Sequence, residues 1–184
     1  AALARALLSL GAEVTFVTGP ADVPPPSGMA VIKVETARQM LDAVEAALPA
    51  DAAVFAAAVG DWHVDGAHKS KIKKSPDGAP PAIVLRENPD VLASIAQRDE
   101  GRPSLVVGFA AETNDVIANA TAKRLRKGCD WILANDVSPE TGIMGGAENA
   151  VTLISEQGAE SWPRMQKQAV ANKLAERIAQ ALAI

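Results

Sequence analysis

Apolar positions along this chain follow two rhythms in turn: a stripe repeating at helical spacing, and short uninterrupted runs. Leu3, Leu7, Leu8 and Leu10 carry the helical spacing, and Gly11 is a suitable stop. Residues 13–18, EVTFVT, read as a strand ended by Gly19 and Pro20. Pro24, Pro25 and Pro26 then hold a loop extended, because each ring fixes φ and removes an amide donor. Residues 30–34 form a second short strand. Thr36 is placed to cap a helix reaching about Leu48, with Met40, Leu41, Val44 and Leu48 on one face. The run 53–59, AVFAAAV, is too short for an ordinary helix and suits a buried strand.

The alternation continues to the end of the chain. Residues 83–85 read as a strand, and Pro89 opens a helix running to about Gln97. Residues 105–111, LVVGFAA, form another buried strand. Asn114 is the expected cap of the next helix, which runs to Lys127 and stops at Gly128. Residues 131–134 form a strand entering a polar loop. Residues 151–154 and a stretch near Ser161 and Trp162 make a terminal hairpin around Gln157 and Gly158, and 165–182 is a long amphipathic helix. Strands alternating with helices of this length imply an α/β fold whose mostly parallel sheet is covered on both faces. No internal repeat or linker divides the chain, so residues 1–184 are read as one domain.

Composition narrows the chemistry. There is no tyrosine, which removes every tyrosine-dependent mechanism, and the single cysteine excludes an internal disulfide and a cysteine-based zinc or iron–sulfur site. A net charge of −4 argues against a duplex nucleic-acid partner. No apolar run reaches the ~18 residues of a membrane span, and Arg5 interrupts the apolar start, so neither a membrane segment nor a signal peptide is expected. The expected compartment is the cytoplasm.

In open parallel sheets, ligands bind beyond the carboxyl ends of the strands. The segments to inspect are therefore 57–63 (AAVGDWH), 87–91 (ENPDV), 108–114 (GFAAETN) and 134–138 (ANDVS). Lys69, Lys71, Lys73 and Lys74 crowd the stretch after the first of these. That run reads either as a solvated surface loop or as an anion clamp, since ammonium groups are compact charges suited to phosphate oxygens. Lys123, Arg124, Arg126 and Lys127 form a second basic cluster. It either complements the dipole of its own helix or addresses a ligand, with Lys123 and Lys127 one turn apart on one face. Asp61 in a strand-end loop is a candidate for holding Mg2+ on a triphosphate, with solvent exposure or helix capping as the plainer reading. Phe109 reads as core or as a stacking surface for a nucleobase. Trp62 and Trp131 read as packing residues and Cys129 as a small buried filler, while His63 and His68 lack a third metal ligand. No G-x-G-x-x-G or Walker sequence is present. Residues alone thus point to an α/β domain that binds a phosphorylated anion.

Taken in order, these segments resemble the phosphopantothenate–cysteine ligase family. The matching pieces are GAEVT at 11–15 with VTGP at 17–20, AAVGDW at 57–62 and KIKK at 71–74. They continue with NPDV at 88–91, VGFAAET at 107–113, the cluster 123–127 and ANDVS at 134–138. The resemblance covers nearly the whole chain. It implies a three-layer Rossmann-like domain with a mostly parallel sheet and a C-terminal hairpin plus helix. It also implies CTP-dependent ligation of 4′-phosphopantothenate to L-cysteine through an acyl-cytidylate, a step of coenzyme A biosynthesis.

Residue by residue, the resemblance makes Lys71 the catalytic lysine of acyl-cytidylate formation and a nucleotide contact. Phe55, Ala56 and Ala57 would approach the nucleotide through their backbone. Asp61 would contact the nucleotide or its Mg2+. Asn88, Pro89, Asp90 and Val91 would line the pocket, Phe109 would pack against the nucleotide, and Lys123 and Lys127 would complete its binding. Ala58 would lie beside the acyl-cytidylate. The family also implies a homodimer, reached through the lysine loop, and commonly a fused decarboxylase domain; FMN enters only with that domain.

Two departures accompany the resemblance. The family's domain starts with a strand and a glycine-rich loop that cradles phosphate, whereas this sequence starts inside the following helix, so residues 1–184 are expected to lack both and to be weak or inactive alone. Gly60 stands where many members have alanine. The alternative reading is a non-catalytic nucleotide-binding or dimer-organising module of the same fold. A nicotinamide-dependent oxidoreductase is disfavoured by the absent tyrosine and the missing dinucleotide fingerprint.

Overall fold

A computed structural model describes residues 1–21, 23–66, 82–138 and 146–183. Its centre is the five-stranded sheet β10-β9-β7-β6-β3. The strands β3 (Ala52–Phe55), β6 (Leu105–Glu112) and β7 (Trp131–Asp136) run parallel. Two further strands, β9 (Val151–Ser155) and β10 (Gly158–Ser161), add an antiparallel hairpin at one edge. The expected α/β architecture is therefore present, with the terminal hairpin where the alternation put it.

Side-chain alternation along the strands builds a core on each face. Leu105, Val107, Leu133 and Leu153 point to one side. There they meet Trp162 and, from α5 (Lys167–Leu182), Val170, Leu174 and Ile178; Leu3 and Leu7 of α1 (Ala2–Ser9) join the same layer. Val106, Ala110, Ile132, Ala134 and Ile154 point to the other side. They pack on Ala96 of α3 (Val91–Ala96) and Ala120 of α4 (Val116–Lys127). A third cluster joins Leu41 of α2 (Ala37–Ala46) to Val91 and Ile95, with Ala53 and Phe55 of β3 beneath them. Helices on both faces give the three layers.

Local chemistry explains the boundaries. Thr36 Oγ1 accepts from the Gln39 amide at 3.2 Å while Gln39 Oε1 accepts from the Thr36 amide at 3.1 Å, a reciprocal capping box. Gly128 ends α4 at φ +73°, a left-handed turn that favours glycine. Two helix starts differ from expectation. α4 is preceded by Asp115 at φ 43°, and Asn114, the expected cap, instead accepts at its carbonyl from the Asn119 side chain at 2.9 Å. Pro89 lies one residue before the cap of α3, which is Asp90.

The strands expected near 13–18 and 30–34 are present, whereas the two-residue strands further on are too short to show a period. The parallel pair β1 (Thr15–Thr18) and β2 (Ala30–Lys33) is separate from the main sheet. β8 (Glu148–Asn149) pairs with β11 (Met165–Gln166). The apolar run expected as one strand over 53–59 is strand only to Phe55. The chain then turns out through Ala56–Ala58 into β4 (Trp62–Val64), which pairs antiparallel with β5 (Leu85–Glu87). The strand expected at 83–85 thus begins two residues later and lies in this ribbon. Trp62, expected to pack, is 61% exposed on it, and Trp162 is the tryptophan that fills the core.

Candidate functional site

Three segments meet beside the carboxyl ends of β3 and β6. After β3, Ala56, Ala57 and Ala58 are exposed and carry only methyl groups, so their backbone is open to close approach. Gly60 and Asp61 follow, and they are tied to the segment after β5. The Asn88 side chain donates to the Gly60 carbonyl at 2.8 Å, and the Asn88 amide donates to the Asp61 carbonyl at 2.8 Å. This double tie holds the Asp61 loop against the start of α3 and leaves the Asp61 side chain exposed. An added Cβ at Gly60 would meet nothing nearer than the Trp62 carbonyl at 3.8 Å, so alanine fits there equally well.

Asp90 caps α3: its Oδ1 accepts from the Ala93 amide at 3.0 Å. Its Oδ2 accepts from Lys127 at the last turn of α4, forming an ion pair. Burial works against ionisation of Asp90, but the Lys127 hydrogen bond, the Ala93 amide and the charges of Lys127 and Arg126 outweigh it and hold the carboxyl below its ordinary value. One turn earlier, the Lys123 ammonium donates to the Phe109 carbonyl at 3.0 Å. Lys123 and Lys127 therefore do share one face, and that face looks toward β6 and the start of α3.

Close packing sets this spacing. An added Cβ at Gly108 would lie 2.7 Å from Leu92 Cδ2 and 2.8 Å from Ile132 Cδ1, so α3 rests directly on the strand. The Phe109 ring is half-buried and turns to the other face, against the α5 layer; only its backbone meets Lys123. Phe55 packs under α2 and α3, and Val91 is buried between them. At the end of β7, Asp136 Oδ1 accepts from the Ser138 amide at 2.9 Å, and hydrogen bonds from Ser138 hold that carboxyl below its usual value.

The structure thus links Asp61, Asn88, Pro89, Asp90, Lys127 and Lys123 in one continuous set. Lys71, with the rest of the lysine run and His68, lies outside the described residues, as does most of the glycine-rich stretch 142–146. His63 lies on β4 opposite Arg86, and no group of three or more His, Cys, Asp or Glu side chains able to hold a metal occurs among the described residues. Cys129 is buried, and burial pushes its thiol up, as befits a filler. No helix among the described residues is long and apolar enough to cross a membrane. Sequence reading missed the Asn88–Gly60 tie and the Asp90–Lys127 pair, since partners 28 and 37 residues apart share no local pattern.

The described residues form a three-layer α/β domain with a mostly parallel sheet, in which small residues follow β3 and the lysines of α4 reach toward β6 and the start of α3. Residues 1–182 match the family described as DNA/pantothenate metabolism flavoprotein C-terminal domain, and the chain belongs to that family. It is 40% identical over 178 residues to the coenzyme A biosynthesis bifunctional protein CoaBC of Vibrio vulnificus (strain YJ016), covering 96% of this chain and 44% of that protein. The Escherichia coli (strain K12) CoaBC is 37% identical over 179 residues, with the same coverage. The chain therefore spans under half the length of these curated relatives. Among solved structures, the C-terminal domain of a CoaBC bifunctional protein superposes with a TM-score of 0.78 at 30% identity, covering 98% of this chain and 80% of that one.

Proposed function

We propose that this chain is the ligase domain of a coenzyme A biosynthesis protein, joining 4′-phosphopantothenate to L-cysteine at the expense of CTP. The observation that carries the reading is the continuous set from Asp61 through Asn88 and Asp90 to Lys127 and Lys123, in a chain whose family match runs over residues 1–182. The relatives' name, coenzyme A biosynthesis bifunctional protein, supports the pathway, and the second activity that name implies fits a flavin-dependent decarboxylase fused to this domain, with FMN as its cofactor.

In this reading the carboxylate of 4′-phosphopantothenate attacks the α-phosphate of CTP, forming an acyl-cytidylate and releasing pyrophosphate. The cysteine amine then attacks the acyl carbon, forming the amide and releasing CMP. Such a phosphoryl-group step depends chiefly on positioning and on cations facing the developing charge. Lys123 and Lys127 supply two such cations, and Lys71 supplies a third at the reacting phosphate. The open backbone of Ala56 and Ala57, continuing from Phe55, admits the nucleotide closely, and Ala58 leaves room for the acyl-cytidylate. Asn88, Pro89, Asp90 and Val91 line one side through the turn into α3, and Phe109 contributes its backbone, its ring lying on the opposite face of the sheet.

Mg2+ suits Asp61, because this ion commonly takes one or two carboxylates and completes its shell with phosphate oxygens and water. The side chain is exposed in a loop braced by Asn88, so it is free to serve as the one protein carboxylate. When bound, the ion would neutralise triphosphate charge. The protein is proposed to work as a cytoplasmic homodimer.

The test is pyrophosphate release by the protein expressed from its complete gene, supplied with CTP, 4′-phosphopantothenate and Mg2+. CTP-dependent release is expected, and its absence rejects the ligase reading. Lys71→Gln is expected to leave the fold intact while suppressing acyl-cytidylate formation; an unchanged rate rejects the role of Lys71.

A further inference from the structure

Asp90 serves two partners at once. Oδ1 caps α3 through the Ala93 amide at 3.0 Å, and Oδ2 holds Lys127. At the other end of α3, Gln97 Nε2 donates to the Arg126 carbonyl at 3.0 Å. This six-residue helix is therefore pinned to the last turn of α4 at both ends, and Lys127 has a defined place beside it.

A lysine ammonium has three N–H donors on a stem with many rotamers. Asp90 occupies one donor and fixes the stem, leaving two donors to point elsewhere. The Lys127 side chain keeps 21% of its exposure, enough for a ligand oxygen to reach it. Lys123, one turn earlier, is held in the same manner by the Phe109 carbonyl. Without its partner the Lys127 stem would sample other rotamers, and binding would have to order it.

We propose that Asp90 is a positioning residue for the nucleotide, acting through Lys127 by holding its ammonium where the free N–H groups meet nucleotide oxygens. This assignment rests on the ligase reading and deepens it, since the resemblance alone places Asp90 in the pocket lining. It makes Asp90 a partner of the lysine and leaves the nucleotide contact to Lys127.

Asp90→Asn is a clean probe, because asparagine caps a helix as well as aspartate does but carries no charge for Lys127. CTP binding is measured by calorimetry on the complete protein for the wild type, Asp90→Asn, Lys127→Ala and the double variant. Asp90→Asn is expected to weaken binding about three- to fivefold, the scale of a partly exposed charge pair. In the Lys127→Ala background the same change is expected to do nothing further. An equal loss in both backgrounds overturns the assignment, since Asp90 would then act independently of Lys127. Tighter binding by Asp90→Asn also overturns it, since the carboxylate would then compete with the nucleotide for the lysine. An Asp90→Asn isotherm identical to the wild type overturns the assignment alone, whereas a flat wild-type isotherm overturns the ligase reading with it. Asp90→Ser, whose oxygen caps α3 but is too short for Lys127, repeats the test if the asparagine variant is unstable.

Discussion

The Asn88 side chain donates to the carbonyl of Gly60 at 2.8 Å, joining two positions 28 apart in sequence that flank the β4–β5 ribbon. The Asn88 amide adds a second bond to the Asp61 carbonyl, so one residue holds the Asp61 loop at two points. Asn88→Ala removes the side-chain bond, a net contribution of about 1 kcal/mol, and frees the loop to move. The expected result is a rise in KM for Mg2+–CTP of roughly five- to tenfold, with a smaller change in kcat. Steady-state kinetics over a range of CTP concentrations checks it, and an unchanged KM removes Asn88 from the binding machinery.

Arg102 acts at the opposite end of the strands. Its Nη2 donates to Asp130 Oδ2 at 2.8 Å, and that same oxygen accepts from the Val106 amide at 2.7 Å. Arg102 also donates to the carbonyl of Ala96 at 2.7 Å, joining the end of α3 to the turn between α4 and β7. Arg102→Ala strips several partly buried acceptors of their donor and is expected to cost roughly 2–3 kcal/mol. Urea unfolding measures the loss. Arg102 also donates to the Gly128 carbonyl at 3.3 Å, next to Lys127, so nucleotide affinity is measured beside stability to separate the two effects.

Gly108 has no room for a side chain. A methyl there would press on Leu92 and on Ile132 at under 3 Å, and Ile132 is fully buried. Gly108→Ala is expected to cost about 1–3 kcal/mol by overpacking. Adding Leu92→Ala is expected to recover part of the loss, since it removes one of the two clashing methyl groups. Thermal unfolding of both variants tests the contact; a second substitution that only adds to the damage speaks against it.

Stability at low pH reports on Asp90. Its carboxyl is held below the ordinary value of 3.8, so the ion pair with Lys127 stabilises the fold fully above that value. The contribution is lost as pH falls through the lowered native value. Because the Asp90 side chain is 41% exposed, solvent screening limits the effect to about 0.2–1 kcal/mol. The stability difference between the wild type and Asp90→Asn is expected to be constant from neutral pH to about pH 5 and to vanish well below pH 4. Urea midpoints along that range measure it, and a difference that persists in strong acid excludes the ion pair as its source.

Much of the fold was legible because long amphipathic elements advertise themselves. Leu105 to Ala111, the helix ending at Lys127 and Gly128, and the closing helix with Leu174 and Ile178 each combine a clear period with a clear stop. The lysines of α4 were legible too, since i, i+4 spacing settles that Lys123 and Lys127 share a face. Trp62 was misread because an aromatic residue in an apolar context carries no sign of which face its strand presents. Asn114 was misread because two capping residues stand side by side before α4, and the backbone turns at Asp115.

The sequence by itself determined the alternation of strands and helices, the apolar faces that build two core layers, and the residue types able to meet a phosphorylated nucleotide. Periodicity and side-chain chemistry are local properties, carried by neighbouring residues of the chain itself. Only the tertiary structure decided that Asn88 reaches Gly60, that Asp90 takes Lys127, and that Phe109 turns its ring from Lys123. Those relationships depend on how far α3 sinks onto β6 at Gly108 and on which way the chain leaves β3. Packing between distant segments sets both.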